Sequence, residues 1–592
     1  MKESRLKTSV LVYLLPLIAG LISRIFLFQN WLDSPLRYYH LIQGLDMKTM
    51  LELGSRFYHL DTNFSIYRLL IASVMFFNHG AHCVEALIII QMLFGSLTGV
   101  LIAYISLRIS GNRYISMFCG ILAALYSPAL LYECLTLQES TFLFFNILSI
   151  AVILKARTKH FSALWLIFSG IALFLPPLMR FSSFLWALLG LLWIILYMLR
   201  RVRIRNTTGI LKEMFPVFLF LFIGIAAVVL PVSLFNLYKG WDLMPFSPAN
   251  LKYTLQLGTM ENPSNLNLPP STETEKQHEL AISFKNIFKQ AANYSKKALF
   301  IFRAFEIPNN VNYYFIRSHL NPLEYLPGPL LLIPAAVCGI IIMLAKRRFM
   351  RRESILFFYL ISFTIPLCIF FPLGRYRIVF LPVFCLFAGY FLMHIIREFK
   401  KVSRGGKFTV FLIPLLLYAL IFRWAAPSNL PLRAEDFVTY GQALEIQKGD
   451  VPEVETCFAL ALLANPESKS AALNLTDKLI RHAKFEKARS IIEPFYFQDM
   501  QNYKFAIKYA ASLLGIGKAE EAEEILRQLP PPENKVSRYN YFFNLAESRR
   551  LQRKDAEAAE AYKKAMELTD RKENLEILKE FLKKVNKPDT MR

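Results

Sequence analysis

Cysteine is scarce in this chain, and the few cysteines are not paired in motifs. The 592 residues include seven; six lie in or beside apolar runs, and Cys457 stands apart with no CxxC or CxxxxH motif nearby. The sequence therefore predicts neither a disulfide framework nor a cysteine-bound zinc ion. Among the nine histidines, His59, His79 and His82 are not spaced four residues apart, which argues against a helical zinc site. We predict no cofactor, and the sequence leaves a divalent cation open.

Acidic residues are also few. Asp and Glu number 44 against 68 Lys and Arg, which gives a formal net charge of +24. A basic excess can indicate nucleic-acid binding, but here the basic residues collect in short clusters at the ends of apolar segments. We therefore expect no nucleic-acid partner and interpret the clusters as signals of membrane topology.

Apolar residues, in contrast, are abundant, at 55% of the chain with 51 Phe. Nearly all the long apolar runs lie in residues 1–425, whereas residues 426–592 are charged and rich in Ala and Glu. This break predicts two domains, a polytopic membrane domain and a C-terminal helical domain. The predicted fold class is all-α.

Runs of about 17 to 25 mostly apolar residues are long enough to cross a bilayer core of about 30 Å. Eleven such runs occur, near residues 8–28, 85–107, 116–135, 140–155, 161–179, 183–199, 214–236, 326–345, 354–372, 376–395 and 407–424. The run 69–77 is too short to span and predicts an interfacial helix. Because Arg24 interrupts the first run and no Ala-x-Ala site follows, we expect a membrane helix there rather than a signal peptide.

The basic clusters set the predicted orientation. With a cytoplasmic N-terminus and eleven spans, all of them fall on the inner side, near residues 2–7, 108–113, 155–159, 200–205, 346–352 and 397–407. This agrees with the positive-inside rule. Two large loops, 29–84 and 237–325, and the whole C-terminal domain are then predicted to lie outside.

The C-terminal domain carries a repeat. Small or apolar residues recur at Val454, Ala488, Ala522 and Ala558, at spacings of 34, 34 and 36 residues. This is the period of TPR repeats, in which a small residue lets the two helices of a repeat approach closely. We predict an α-solenoid of about four TPR repeats. Two roles stay open, a scaffold that braces the membrane domain and a surface that binds a partner protein or an acceptor.

Several motifs on the predicted outer face resemble one family. Asp46 and FSIYRLLIA are followed by YSPALLYECLTLQES, PPLMRFSSFL and LPVSLFNLYKGWD, and then by FRAFEIPNNVNYYF and GRYRIVFLPVFCLFAGYFL. In this order they resemble the polyprenyl-phosphate-sugar transferases of the GT-C superfamily, which include the protein O-mannosyltransferases and the aminoarabinose transferase of lipid A. Together the matches cover most of residues 24–395.

The resemblance implies a glycosyltransferase with a polyprenyl-phosphate-linked sugar as donor and an envelope protein or glycolipid as acceptor. It implies a place in the bacterial inner (plasma) membrane, with the TPR domain in the periplasm. Asp46 is the expected catalytic base, and Glu133 or Glu139 would orient the acceptor or share the site. The residues expected to line the cavity are Tyr67, Asn236, Glu306, Asn309 and Asn310.

Arginines are the expected ligands of the donor phosphate. Arg375 and Arg377 lie beside a span on the predicted outer side, against the basic-inside bias, and a guanidinium group suits phosphate oxygens by charge and fork geometry. Arg180 is a further candidate. Headgroup anchoring is the alternative role for such a pair.

Other interpretations stay open. An O-antigen-ligase-type transferase also combines many spans with a large outer loop, which here offers Arg303, Arg317 and His319. A non-catalytic membrane scaffold is the second alternative, because Met50, Ser65 and Phe235 stand where the family usually has Tyr, Pro and Arg. A transporter is disfavoured, since the hydropathy pattern shows no twofold repeat.

Overall fold

The protein was analysed as a computed structural model. It describes residues 2–59, 62, 64–78, 82–204, 210–241, 287–345, 354–370, 372–399, 416, 418, 433–568, 576 and 579–580. Within these residues the chain forms helices and connecting turns, with no strand. It divides into two compact units, Met1–Leu430 and Pro431–Arg592. The predicted domain boundary at 425/426 lies outside the described residues.

The first unit is a bundle of helices, labelled here in chain order. They are α1 (Lys2–Asp33), α2 (Asp46–Tyr58), α3 (Ile66–Phe77), α4 (Cys83–Ser110), α5 (Arg113–Ala124), α6 (Ser127–Glu133), α7 (Glu139–Thr158), α8 (Ala163–Phe174), α9 (Phe184–Ile204), α10 (Ile210–Tyr238), α11 (Ile287–Ile301), α12 (Tyr313–His319), α13 (Asn321–Glu324), α14 (Pro329–Ala345), α15 (Ser354–Ile369), α16 (Gly374–Arg377) and α17 (Leu381–Phe399). A seven-residue 3₁₀ helix, Pro35–Leu41, follows α1, and three-residue 3₁₀ turns follow α8 and α16 and precede α9.

Among the described residues, seven segments are long and apolar enough to cross a membrane. They are Val10–Asp33, Cys83–Ser110, Glu139–Thr158, Phe181–Arg201, Lys212–Tyr238, Asn321–Leu344 and Gly374–Arg397. Helices α5 and α6 add an eighth if the pair, bent by 46°, is one broken span. The chain is therefore a multi-pass membrane protein.

Three of the eleven predicted spans have no counterpart among these segments. The runs at 161–179 and 354–372 form shorter apolar helices, Ala163–Leu178 and Ser354–Ile369, and the run at 407–424 lies almost entirely outside the described residues. The number eleven stays a prediction. The short run 69–77 lies in α3, a 12-residue helix, which at 1.5 Å per residue falls well short of the bilayer core.

Glycines allow neighbouring helices of this bundle to touch. A Cβ at Gly339 of α14 would overlap the backbone carbonyl of Phe387 in α17, and one at Gly224 of α10 would overlap the carbonyl of Ile167 in α8. Since apolar surface gains little from helix association within lipid, close backbone packing of this kind holds such helices together. These contacts fix the frame that positions the ends of the helices.

In residues 433–568, the second unit forms four helix pairs. Their helices are α18 (Ala434–Lys448) with α19 (Pro452–Ala464), α20 (Lys469–Arg481) with α21 (Phe485–Gln498), α22 (Tyr503–Gly515) with α23 (Ala519–Arg527), and α24 (Lys535–Leu551) with α25 (Asp555–Met566). Each helix packs on the next, and the first helices of neighbouring pairs also touch. The fully buried Val454, Ala488, Ala522 and Ala558 all lie in second helices. This is the arrangement that the repeat predicts, and the assignment to the TPR class stays a prediction.

Local sequence explains where these helices begin and turn. Ser468, Asn502 and Asn534 cap the first helices of the last three pairs by accepting hydrogen bonds from backbone N–H groups, as short polar side chains do at helix N-termini. Within those pairs the turn places Ala483, Gly517 or Arg553 at positive φ. The next residue, a lysine each time, donates its N–H back to the end of the first helix, which is a Schellman-type ending.

Candidate functional site

Four charged side chains from distant segments form one chain of contacts in the first unit. Arg375 Nη1 donates to Asp46 Oδ2 at 2.5 Å, and Arg375 Nε lies 4.0 Å from Glu139 Oε1. The same oxygen of Glu139 accepts a hydrogen bond from Arg180 Nη2 at 2.9 Å. Acid and base therefore alternate in the order Asp46, Arg375, Glu139, Arg180. We call these four residues the outer charge cluster, after the outer side on which the sequence predicts them to lie.

The outer charge cluster is assembled at the ends of helices. Asp46 and Glu139 are the first residues of α2 and α7, where the partial positive charge of a helix N-terminus favours a carboxylate. Arg375 lies in the short helix α16, which leads into the last described span, and Arg180 precedes the turn Phe181–Ser183. Carboxylates at helix starts thus meet arginines from the turns between spans.

The four members of the cluster differ in exposure. The side chain of Asp46 is 42% exposed, those of Arg180 and Arg375 are 20% and 12% exposed, and that of Glu139 is 1% exposed. The cluster is therefore most exposed at Asp46, and its buried carboxylate, Glu139, lies between the two arginines.

The surroundings of Asp46 favour its charged form. Burial would raise the pKa of this carboxyl group, but the charge and hydrogen bond of Arg375, the nearby amide of Asn310 and the charge of Arg180 outweigh it. The pKa of Asp46 therefore lies below its usual value. Asn310, one of the predicted cavity residues, thus lies near Asp46.

Tyr376 orders the two arginines, although the sequence analysis did not single it out. Its ring centroid lies 4.6 Å from the guanidinium carbon of Arg180 and 4.6 Å from that of Arg375. Its hydroxyl accepts a hydrogen bond from Arg375 Nη2 at 2.6 Å. Contact with an aromatic ring stabilises a guanidinium group and limits its rotation. The sequence signal was only that Tyr376 lies between two arginines.

Two buried polar atoms of the cluster have no hydrogen-bond partner among the described residues. They are Glu139 Oε2 and Arg375 Nε. Buried polar atoms of folded proteins are nearly always paired, so each such atom needs an explanation. At this position a bound ligand is one explanation.

The sequence predicts that Arg377 binds the donor phosphate together with Arg375, but Arg377 contacts other groups. It is 3% exposed, lies 2.8 Å from Glu306 Oε1, and donates from Nη1 to the carbonyls of Phe300 and Arg303 at 2.9 and 2.8 Å. These carbonyls lie at the end of α11, where a cation is favourable. Arg377 and Glu306 thus anchor the turn that carries Arg375 and stand outside the outer charge cluster.

Glycine makes this anchor possible. A Cβ at Gly374 would lie 2.5 Å from Glu306 Oε2, and the N–H of Gly374 donates to the carbonyl of Ile307 at 3.0 Å. The turn therefore packs directly on the segment that begins with Glu306. Nothing in the sequence indicates that Arg375 and Arg377, two residues apart, contact different partners.

Glu133, the other expected acid, also lies apart from the cluster. It is 2% exposed and accepts two hydrogen bonds from Arg24, at 2.7 Å from Nε and 2.6 Å from Nη2. Gly95 makes room for it, since a Cβ there would overlap the carboxylate. The sequence had marked Arg24 only as an interruption of the first span. The structure assigns it a buried ion pair between α1 and α6.

Tyr67, Gln91 and Thr136 form a group of hydrogen-bonded side chains beside the cluster, which we call the brace. It is 1% exposed, and its hydroxyl donates to Gln91 Oε1 at 3.0 Å. Gln91 Nε2 in turn donates to the backbone carbonyls of Glu133 and Leu135, and Thr136 donates to the carbonyl of Met47 at 3.2 Å. The brace therefore ties the turn before Glu139 to the helix that begins with Asp46.

The remaining expected residues have local partners. Asn236, 3% exposed, accepts a hydrogen bond from the N–H of Trp241 at 2.9 Å. Asn309 donates from its backbone N–H to the carbonyl of Val311 at 3.3 Å. Of the three residues that the large loop offers for the alternative transferase, Arg303 lies over the ring of Phe300, Arg317 donates to the carbonyl of Glu324, and His319 Nδ1 lies 2.7 Å from the carbonyl of Phe315. Among their described contacts, none is with the outer charge cluster.

In the described part of the chain, no group of three or more His, Cys, Asp or Glu side chains is placed to hold a metal ion. No protein-family model matches the chain, and no curated protein matches it significantly. The geometry of the described residues is therefore the basis for the assignment of function.

Proposed function

We propose that the chain is an integral membrane glycosyltransferase. It would move a sugar from a polyprenyl-phosphate donor to a hydroxyl group of an envelope protein or glycolipid, on the extracytoplasmic face of the bacterial inner membrane. The observation that carries the proposal is the outer charge cluster. Its four members lie on four separate segments of the chain, and the sequence predicts a part in this chemistry for each of them.

The cluster holds the groups that such a transfer needs. The acceptor oxygen attacks the anomeric carbon of the sugar while its proton passes to the Asp46 carboxylate. The bond between that carbon and the phosphate oxygen breaks, and its electron pair stays on the phosphate, where Arg375 and Arg180 stabilise the charge. Glu139 contacts both guanidinium groups and so shares the site as their common counterion.

The part-buried geometry supports these roles. An ionised side chain beside a membrane span is costly unless it is paired or used, and here two acids pair with two arginines at one open end. Arginine can bind two phosphate oxygens at once through parallel N–H donors. The apolar outer surface of the spans would accommodate the polyprenyl chain of the donor.

The test is transfer from a radiolabelled polyprenyl-phosphate sugar in membranes that contain the full chain. Asp46→Asn should abolish transfer, because an amide cannot accept the proton. Glu52→Gln is the matched control, since it removes an equal charge from the exposed face of the same helix, where Glu52 is 57% exposed. Transfer by Asp46→Asn at the rate of the control would sink the assignment of the base.

A second variant separates an enzyme from a scaffold. Arg375→Lys keeps the charge but loses the planar fork, so we expect it to raise the donor concentration needed for half-maximal transfer. For a scaffold, Asp46→Asn and Arg375→Lys should leave every glycan product unchanged. The helix pairs of the second unit are proposed to bind the acceptor or a partner protein.

A further inference from the structure

The contact between Asp46 and Arg375 engages two groups that the proposed reaction needs separately. Asp46 must accept a proton from the acceptor, and Arg375 must offer N–H donors to the lipid phosphate. In the structure Arg375 Nη1 donates to Asp46 at 2.5 Å and Nη2 donates to Tyr376 at 2.6 Å. Both terminal nitrogens of Arg375 are therefore engaged by groups of the protein.

Of the two carboxylates near Arg375, that of Asp46 is far easier to displace than that of Glu139. Glu139 is 1% exposed and lies against the Nε side of Arg375, so separating it would strand a buried charge, which is strongly unfavourable. Asp46 is 42% exposed and regains water when it leaves, as in a surface ion pair. An incoming phosphate oxygen would therefore replace Asp46 on Nη1 and leave Glu139 in place.

We propose that the Asp46–Arg375 ion pair is a latch that the phosphate group of the donor opens. The phosphate takes the place of Asp46 on Arg375, and the released carboxylate becomes the base for the acceptor. This inference rests on the proposed function, since it takes Arg375 as the phosphate ligand. It implies that the donor binds before the acceptor is activated.

The charges of the cluster support this order. Arg180 and Arg375 balance Asp46 and Glu139, so the closed cluster is neutral. A sugar linked through one phosphate adds one negative charge and leaves Asp46 without its counterion. Because Arg375 holds the pKa of Asp46 low in the closed state, its loss makes the carboxylate more basic. The Asp46 carboxylate is then a stronger base when the donor is bound than when it pairs with Arg375.

Binding of undecaprenyl phosphate to the full chain in detergent micelles tests the latch without any transfer reaction. Asp46→Asn removes the competing carboxylate, so this variant should bind the lipid more tightly than the wild type, by about fivefold if the pair is as strong as a surface ion pair. Glu52→Gln should bind like the wild type. Arg375→Gln should weaken binding in both the wild type and the Asp46→Asn background.

The opposite result has a definite meaning. If Asp46 holds Arg375 in place for the phosphate, Asp46→Asn binds the lipid less tightly or equally, and the latch is overturned while the phosphate site stands. An equal gain in affinity for Asp46→Asn and Glu52→Gln would be a general charge effect and would also overturn it. If neither wild type nor Asp46→Asn binds the lipid, or Arg375→Gln changes nothing, the donor site itself is overturned.

Discussion

The buried pair of Arg24 and Glu133 gives the sharpest prediction about stability. Each side chain is less than 5% exposed, and two hydrogen bonds of 2.6 and 2.7 Å join them. Arg24 Nη1 also donates to the carbonyl of Ala124 at 2.8 Å, just where the bent pair of helices breaks. Arg24 therefore pairs with the charge of Glu133 and also donates to the backbone carbonyl of Ala124 at the break between the two helices.

Removing either partner leaves an uncompensated charge inside the bundle. Glu133→Met or Arg24→Met should each cost about 3 to 5 kcal/mol, the range seen when one member of a buried pair is deleted. The double Met variant has no stranded charge, and its remaining loss is the unpaired carbonyl of Ala124, worth about 1 to 3 kcal/mol. The double variant should therefore be more stable than either single variant.

The assay is the midpoint of heat-induced loss of the monodisperse peak in size-exclusion chromatography of the purified full chain in detergent. The single variants should lose on the order of 5 to 10 °C, and the double variant should recover part of the loss. A double variant whose loss equals the sum of the two single losses would show that the side chains act independently. That outcome would refute the ion-pair argument.

Three further predictions concern other positions. Ala483 and Gly517 have positive φ angles of 55° and 84°, which glycine adopts more easily than alanine. Ala483→Gly should therefore stabilise the second unit by about 0.5 to 1 kcal/mol, and Gly517→Ala should destabilise it by about 1 kcal/mol. Circular dichroism of a fragment of residues 431–592 measures both effects. Burial would raise the pKa of Glu523, but hydrogen bonds from Lys554, Arg549 and Gln552 and the charge of Arg527 lower it to about 2. The stabilising effect of ionised Glu523 should be complete above its unfolded-state pKa of about 4.3 and disappear as the pH falls towards 2. The difference in stability between wild type and Glu523→Gln should therefore close over this pH range. A difference that stays constant down to pH 2 would contradict the lowered pKa of Glu523. Tyr376→Leu should weaken undecaprenyl phosphate binding more than Tyr376→Phe, which keeps the ring between the arginines; equal effects would argue against the stacking role.

The features that follow from periodicity were predictable from the sequence. Apolar runs located the long helices of the first unit, and the recurrence of Val454, Ala488, Ala522 and Ala558 located the second helix of each pair. These signals are local, since a helix shows its buried face in a few turns of sequence. Span number was less accessible, because short apolar runs form helices of 12 to 16 residues here, and length alone does not decide whether they cross.

The candidate site was predictable only in part. Asp46, Glu139, Arg180 and Arg375 were selected for their order on the predicted outer face, and the structure brings them together. Side-chain direction could not be read from the chain. Arg377 and Glu133 were therefore grouped with residues that they do not contact.

The partners that complete each arrangement are distant in sequence. Arg24 meets Glu133 across 109 positions, and Gln91 reaches the carbonyl of Leu135 across 44. The packing of whole helices brings the members of such pairs together, and a single sequence carries no direct signal of that packing. Tyr376 was missed for a different reason, since a tyrosine between two arginines has many ordinary roles in a membrane protein.

The most direct test of the central claim is mass spectrometry of envelope proteins and glycolipids from cells that produce either the wild-type chain or Asp46→Asn at equal abundance. The account predicts that a specific sugar on a protein or glycolipid is present with the wild type and missing with Asp46→Asn. Identical glycan profiles, with the wild-type profile also unchanged by removal of the gene, would contradict it.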